Sequence, residues 1–286
     1  MKLINYFLQF IFVILLFGLF KIFGLKNSSY VSGKLFELIG PLFRSKKIII
    51  ANIKRAYPNI QKLEIQNLIK SMWNNYGRVF SEYMFIKDFR LGSFDNNIEI
   101  EGQEVLENIK KQNKQVIFIS GHFGNFELMA MHIEKSGINL AAIYRPLNNF
   151  FLNPIIEKIR KKYICKYQIK KGIGGMKKLM SLKKNNFSTA LMIDQRVSEG
   201  IKQEFFKEKA FTTTIPGQLS KKFHLPVVPI YIERIKNVKF KIKIMEPIEF
   251  SIDKSIEDIT YELNKVLEKM ILKKPEQWIW SHNRWK

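Results

Sequence analysis

From residue 97 to residue 245 the chain alternates between two hydrophobic periods, and this alternation narrows the fold to one class. Short apolar runs at 97–100, 116–120, 140–144, 189–193, 227–232 and 239–245 read as strands. Helical patterns separate several of them, at 104–112, 126–136, 151–162 and 175–184. A strand, a helix and a further strand make a parallel crossover. The expected architecture is therefore α/β, with a mostly parallel central sheet flanked by helices. In such sheets reactive groups collect at the carboxyl ends of the strands. A chain of 286 residues with 46% hydrophobic content can bury a core of that size.

The second run carries the most chemistry. It ends in Ser120-Gly121, His122 follows at once, and Glu127 comes five residues later where a helix begins. A strand that delivers a histidine to its tip, with a carboxylate one turn on, is the layout of a base and its orienting partner. Glu127 would hold the imidazole in one tautomer and stabilise the imidazolium. Gly121 and Gly124 leave room for the backbone to turn and for a substrate to approach. The pattern fits deprotonation of a hydroxyl.

Residues 4–25 are apolar apart from Asn5, Gln9 and Lys21, and reach about the 20 residues needed to cross a bilayer. No small-x-small cleavage site follows, so the segment reads as an uncleaved anchor. Lys2 precedes it, whereas Lys21, Lys26, Lys34, Arg44, Lys46 and Lys47 follow. The positive-inside bias then puts the body on the cytoplasmic side. A shorter apolar patch at 35–43 suits the interface. Helical spacing over 48–57 and 62–89 precedes the strands, with Pro58 between. The expected division is an anchor (1–26), a helical membrane-proximal region (27–95) and a catalytic α/β domain (96–286). Chemistry so far along the chain is expected to survive removal of the anchor in detergent.

A formal charge of +23 points to anionic lipid or an acidic partner. No nucleic-acid motif accompanies it. The single cysteine, Cys165, excludes an internal disulfide, and His122, His132, His224 and His282 lack ligand spacing, so no metal is expected. Tyr144-Arg145-Pro146-Leu147-Asn148 closes a strand; a guanidinium there suits a phosphate or an oxyanion, or equally a structural ion pair. Ile193-Asp194-Gln195 closes another, where Asp194 would fix an acceptor hydroxyl, balance Arg145 or hold a loop. Thr212 to Thr214 are placed to cap a helix starting near Pro216. The terminal Trp278, Trp280 and Trp285 suit a membrane interface or a buried clasp.

The block Gly121-His122-Phe123-Gly124-Asn125-Phe126-Glu127 resembles the catalytic block of the bacterial lipid A biosynthesis (lauroyl/myristoyl) acyltransferases. More loosely it is similar to the wider glycerolipid acyltransferase superfamily, which carries His-x4-Asp. Asn75-Tyr76-Gly77 with Glu82, the Tyr-Arg-Pro-x-Asn block, the Asp194-Gln195 pair and the terminal Pro-Glu-Gln-Trp-x-Trp-x-His-x-Arg-Trp run extend the resemblance from residue 52 to residue 286. Lys207 departs from it, standing where a glycine is usual. The resemblance implies a glycerolipid-acyltransferase-like fold and a membrane-anchored enzyme on the inner membrane. His122 and Glu127 would be catalytic, with Arg145, Asn125, Asp194 and Gln195 around substrate or oxyanion. It further implies no cofactor, an acyl–acyl carrier protein as donor, and a lipid A precursor as acceptor. The same motifs fit an acyltransferase for another glycolipid or phospholipid. Charge and anchor alone also fit a non-catalytic, membrane-tethered binding protein.

Overall fold

Seven strands form the central sheet of the computed structural model, which describes residues 2–286. Four helices precede it: α1 (Lys2–Phe43), α2 (Lys46–Ala56), α3 (Lys62–Glu82) and α4 (Ile86–Arg90). Then follow β1 (Ile98–Glu101), α5 (Gln103–Lys111), β2 (Ile117–Ser120), α6 (Glu127–Lys135), β3 (Leu140–Tyr144), α7 (Leu152–Ile159) and β4 (Tyr167–Lys170). After α8 (Ile173–Lys183) and β5 (Ser188–Met192) comes a hairpin, β6 (Ile201–Phe205) and β7 (Glu208–Thr212). The chain ends with α9 (Ile215–Phe223), β8 (Val227–Lys236), β9 (Lys239–Ile244) and α10 (Ile256–Lys273).

The sheet order is β1-β9-β8-β2-β5-β3-β4, and every pair is parallel except β8–β9. Only Asn237 and Val238 join β8 to β9. Two residues suffice for an antiparallel hairpin, whereas a parallel crossover needs a dozen or more. β2 is buried at all four residues because it lies mid-sheet with helices on both faces. This is why its sequence reads as an unbroken apolar run rather than an alternation.

All six expected strands are present. The pattern missed β4, the β6–β7 hairpin and α10. The last was legible: Ile259, Leu263, Leu267, Met270 and Ile271 are buried along one face, and Ser255 caps the first turn by accepting from the Asp258 amide at 3.0 Å. At α9 the threonines act as a start signal only in part. Thr213 accepts weakly from the Ile215 amide, at 3.4 Å, and Thr214 binds the Gln218 side chain.

The amino terminus, where an anchor is expected, is a helix long and apolar enough to cross a membrane, and it also packs on the body. Helix α1 is broken at Gly24, whose backbone (φ 73°, ψ 167°) is non-helical and open to glycine alone among common residues. The rings of Phe17 and Phe36 both pack on Phe80, at 5.2 and 5.5 Å between centroids. Nineteen residues of straight helix would rise about 28 Å. The two limbs therefore form a V, and Ser28 Oγ donates to the Phe20 carbonyl across the bend at 2.6 Å. The second limb runs antiparallel along α3, with Ser29 on Glu82, Ser32 on Gly77 and Glu37 on Asn74. The helical region shares one hydrophobic core with the sheet, running from Leu25 and Ile49 to Trp280.

Lys207 sits in the tight β6–β7 turn with φ 63°, beside Phe206 at φ 50°. The doubt over this turn resolves physically: lysine occupies a left-handed position that glycine adopts without strain. Lys207→Gly should raise the midpoint of thermal unfolding by about 2 °C, a shift worth up to about 1 kcal/mol at this chain length. A lower midpoint would show that the lysine makes a compensating contact.

Candidate active site

His122 stands directly beyond β2, and Asp194 directly beyond the neighbouring β5. Parallel pairing in register, with Ser120 opposite Met192, brings the two tips together. Asp194 Oδ1 accepts from His122 Nδ1 at 2.8 Å, and Oδ2 accepts from the His122 amide at 2.9 Å. Trp278 Nε1 adds a third donor to Oδ2 at 2.9 Å. The carboxylate is fully buried. Burial alone would raise its pKa, but the imidazole and these donors outweigh it and bring it down to about 2. Burial would likewise lower the pKa of His122, and the charge and hydrogen bond of Asp194 outweigh that too, raising it. With Nδ1–H held by Asp194, Nε2 is the basic nitrogen. The ring packs edge-on against Phe126, with centroids 4.7 Å apart.

Glu127 was the expected orienting partner, and it does not take that place. Its Oε1 accepts from Arg160 Nε at 2.9 Å and Nη2 at 2.5 Å, with the carboxylate buried at the first turn of α6. A residue five positions after a strand tip lies on a helix that packs against the sheet, and here it meets the end of α7. Arg160 is thereby committed to an internal ion pair.

Asn125, expected to face substrate, is turned inward. Its Nδ2 donates to Glu82 Oε2 at 3.1 Å. Glu82 in turn holds Arg234 through both oxygens, Nη1 to Oε1 at 2.5 Å and Nη2 to Oε2 at 3.0 Å. The Gly124 amide is spent on the Gln277 carbonyl at 3.3 Å. Gly124 itself has φ +44°, and an added Cβ would come within 3.2 Å of Gln277 Oε1. The loop carrying His122 is thus fixed by β5, by the C-terminal run and by α3. Glu82 and Arg234 escaped the sequence reading as functional groups. Glu82 stood only as part of a quoted pattern, and Arg234 lies near the end of β8 with no local motif.

A cavity of about 720 Å³ opens at His122. Sheet and α6 contribute Phe118, Met129, Ile133 and Ala190, while the helical layer contributes Val79, Phe80 and Tyr83. Arg145, Gln195, Arg196 and His282 line it as well. Arg145 is exposed at the tip of β3 and makes no ion pair among the described residues, so it does not balance Asp194. His282 is no rival base. Burial pushes it down to about 4, and its Nε2 accepts from the Arg196 amide at 3.0 Å. Cys165 is buried, which pushes its thiol up to about 12, and it is inert toward nucleophilic chemistry. Among the described residues no three His, Cys, Asp or Glu side chains converge as a metal site. The three terminal tryptophans resolve as a clasp, with Trp278 and Trp280 buried and 4.7 Å apart edge to face.

Val13 and Phe17, from the first limb of α1, also line this cavity. Distance along the chain suggested that the chemistry is separable from the amino terminus. The fold reverses that expectation.

The model of the bacterial lipid A biosynthesis acyltransferase family matches residues 1–286. A lipid A biosynthesis lauroyltransferase of Escherichia coli K12 is 26% identical over 252 residues, covering 85% of this chain and 79% of its own. Lipid A biosynthesis acyltransferase 2 of Shigella flexneri is 22% identical over 260 residues, covering 87% and 81%. Among solved structures, the 1-acyl-sn-glycerophosphate acyltransferase PlsC of Thermotoga maritima superposes with a TM-score of 0.42 at 13% identity, covering 89% of this chain and 96% of that one.

Three outcomes follow from the geometry. In Asp194→Asn, His122 keeps its burial but loses the charge and hydrogen bond that outweigh it, so its titration in histidine-labelled NMR spectra should move below the wild-type value. The pair also sets a stability window. Asp194, lowered from 3.8 to about 2, contributes stability above pH 3.8 that is lost as pH falls toward 2. His122, raised, contributes stability below about pH 6.5 that is lost as pH rises through its folded pKa. Separately, deleting residues 2–23 should lower acyl transfer even in detergent micelles, because a wall of the cavity goes with them. Full activity of the truncated enzyme would show that Val13 and Phe17 contribute nothing.

Proposed function

The chain belongs to the bacterial lipid A biosynthesis acyltransferase family, and from that premise we propose that it performs a late acylation of lipid A. The acceptor is a hydroxyl of a lipid A precursor, and the donor is an acyl–acyl carrier protein; no cofactor takes part. His122 Nε2 removes the hydroxyl proton, and the alkoxide attacks the thioester carbonyl carbon. The tetrahedral intermediate then expels the carrier thiolate, which takes the proton back from the imidazolium, leaving a new ester and a neutral histidine. Asp194 stabilises the imidazolium and fixes its tautomer. Arg145, charged and without an ion pair at the cavity, would meet the oxyanion, with Gln195 also in the cavity lining.

The observation that carries this reading is the His122–Asp194 pair in the wall of a largely apolar cavity. Acyl chains need such a lining, and a base with a buried carboxylate behind it suits a hydroxyl. Its site of action is the cytoplasmic face of the inner membrane. There the +23 charge suits anionic lipid, a phosphorylated acceptor and an acidic carrier protein together.

Mass spectrometry of lipid A from cells with and without this gene tests the reading directly; unchanged acylation would reject it. His122→Ala should lose about 10²–10⁴-fold in transfer while remaining folded. Asp194→Asn should approach that loss, and Cys165→Ala should stay active. Arg145→Lys keeps the charge but not the fork, so its rate should fall well below wild type. A fully active Arg145→Lys would leave Arg145 with the role of a simple positive charge.

A further inference from the structure

Between Glu157 and Asp194 the chain carries no acidic residue, and 11 of the 36 residues from 158 to 193 are lysine or arginine. At the chain's own rate of 25 acids in 286 residues, about three acids would fall in a stretch of that length. The imbalance is local, and the general basicity of the chain does not account for it.

Folding gathers this charge on one edge. The stretch builds the end of α7, a π-helical turn (Arg160–Ile164), β4 and α8, and β4 is the outermost strand on its side of the sheet. The π turn sorts its own charges. Cys165 donates its amide to the Arg160 carbonyl at 2.9 Å, Arg160 turns inward to Glu127, and Lys158, Lys161 and Lys162 are left exposed. Lys166 before β4, and Lys177 and Lys178 on α8, are exposed as well. Among the described residues the ion pairs at this edge are Lys170 with Glu157 at 3.2 Å and Lys171 with Glu199 at 3.8 Å. The other six lysines have no counter-charge.

The ridge meets the cavity at Lys171. This residue lines the cavity, and its amide donates to the Tyr144 carbonyl at 2.9 Å, next to Arg145. β4 lies three strand spacings from β2, about 14 Å. An object seated on the ridge therefore stays clear of His122, while a flexible arm extends from it into the cavity.

Two simpler explanations fall short. Lysines that blunt an open sheet edge account for Lys166 and Lys170, which flank β4, but not for those on the π turn and α8. A membrane-seated basic surface carries apolar anchors among its charges. Among the described residues no large hydrophobic side chain is exposed between Phe150 and Ile235, and the exposed ones lie mostly on α1. The ridge is basic and polar throughout, which matches the surface of an acidic protein.

We infer that the ridge formed by the end of α7, the π turn and α8 is the docking surface for the acidic carrier protein that delivers the acyl group. The inference rests on the acyl-carrier donor reading and adds to it a place on the molecule.

Lys158→Glu, Lys161→Glu, Lys162→Glu and Lys177→Glu, combined in the full chain, test it against two donors bearing the same acyl group. One is the acyl–acyl carrier protein; the other is a short pantetheine thioester, which has no acidic surface. With the carrier donor, KM should rise about tenfold while kcat holds, and wild-type protein should show a similar rise in about 1 M salt. Transfer from the short thioester should stay within about twofold of wild type, which also reports a folded site. An unchanged KM for the carrier donor would overturn the ridge and leave the donor assignment standing. A variant whose only loss is binding to phosphatidylglycerol vesicles would do the same, because the ridge would then face lipid. Wild-type protein that uses the short thioester but not the carrier donor would overturn both readings together.

Discussion

Everything at the active edge depends on one buried carboxylate that has to be ionised. Asp194 has no access to solvent, and an ion in that position is costly unless donors replace the lost water. Three do so: two from His122 and one from Trp278. They come from two separate parts of the architecture. The His122 amide and ring belong to the tip of β2, whereas the indole belongs to the C-terminal run, 84 residues further along the chain than Asp194. Satisfying the charge therefore requires the sheet and the terminus to be assembled together. The same contacts that make Asp194 an anion make His122 a stronger base, so site and fold share one electrostatic solution.

A second buried ion pair performs a comparable service one layer away. Glu82 and Arg234 are almost fully buried, and their bidentate contact is completed by Ser29, Asn75 and Asn125. Such pairs are poor sources of net stability, because desolvation offsets much of the attraction. Removing one partner is far worse, typically costing about 3–5 kcal/mol, because a lone charge remains inside. Their physical value here is registry. Ser29 lies on the second limb of α1, Glu82 at the end of α3, Asn125 in the catalytic loop and Arg234 on β8. These four elements meet in a single arrangement of donors and acceptors.

What was legible in the sequence follows from locality. The hydrophobic period found six strands, and a strand-tip histidine between two glycines located His122. Asp194 was visible as a polar group ending an apolar strand, yet three roles remained open for it. Choosing among them needs the sheet order, since β2 and β5 are adjacent in space but 72 residues apart at their paired tips, Ser120 and Met192. Glu127 was misread because its spacing suggested contact with the ring, whereas its partner Arg160 lies beyond a further strand and helix. Asn125 sat in the right block, but no pattern tells whether an amide points to substrate or to a buried glutamate. The V at Gly24 was hidden because both limbs are apolar and hydropathy does not report a reversal of direction.

Glu127 affects the imidazole through its field instead of through contact. Its charge favours protonated His122, and Arg160 opposes it. Because the two are joined at 2.5 Å, their effects on His122 largely cancel, and the histidine is governed by Asp194. The pair is buried beside Tyr83, which also lines the cavity. Neutralising the glutamate would leave a guanidinium with no counter-charge near an imidazole that, in the proposed reaction, becomes a cation. The carboxylate in the His-x4-Glu block is thus needed for charge balance around the cavity. The tautomer is set from the other side of the ring, by a residue that the block does not contain.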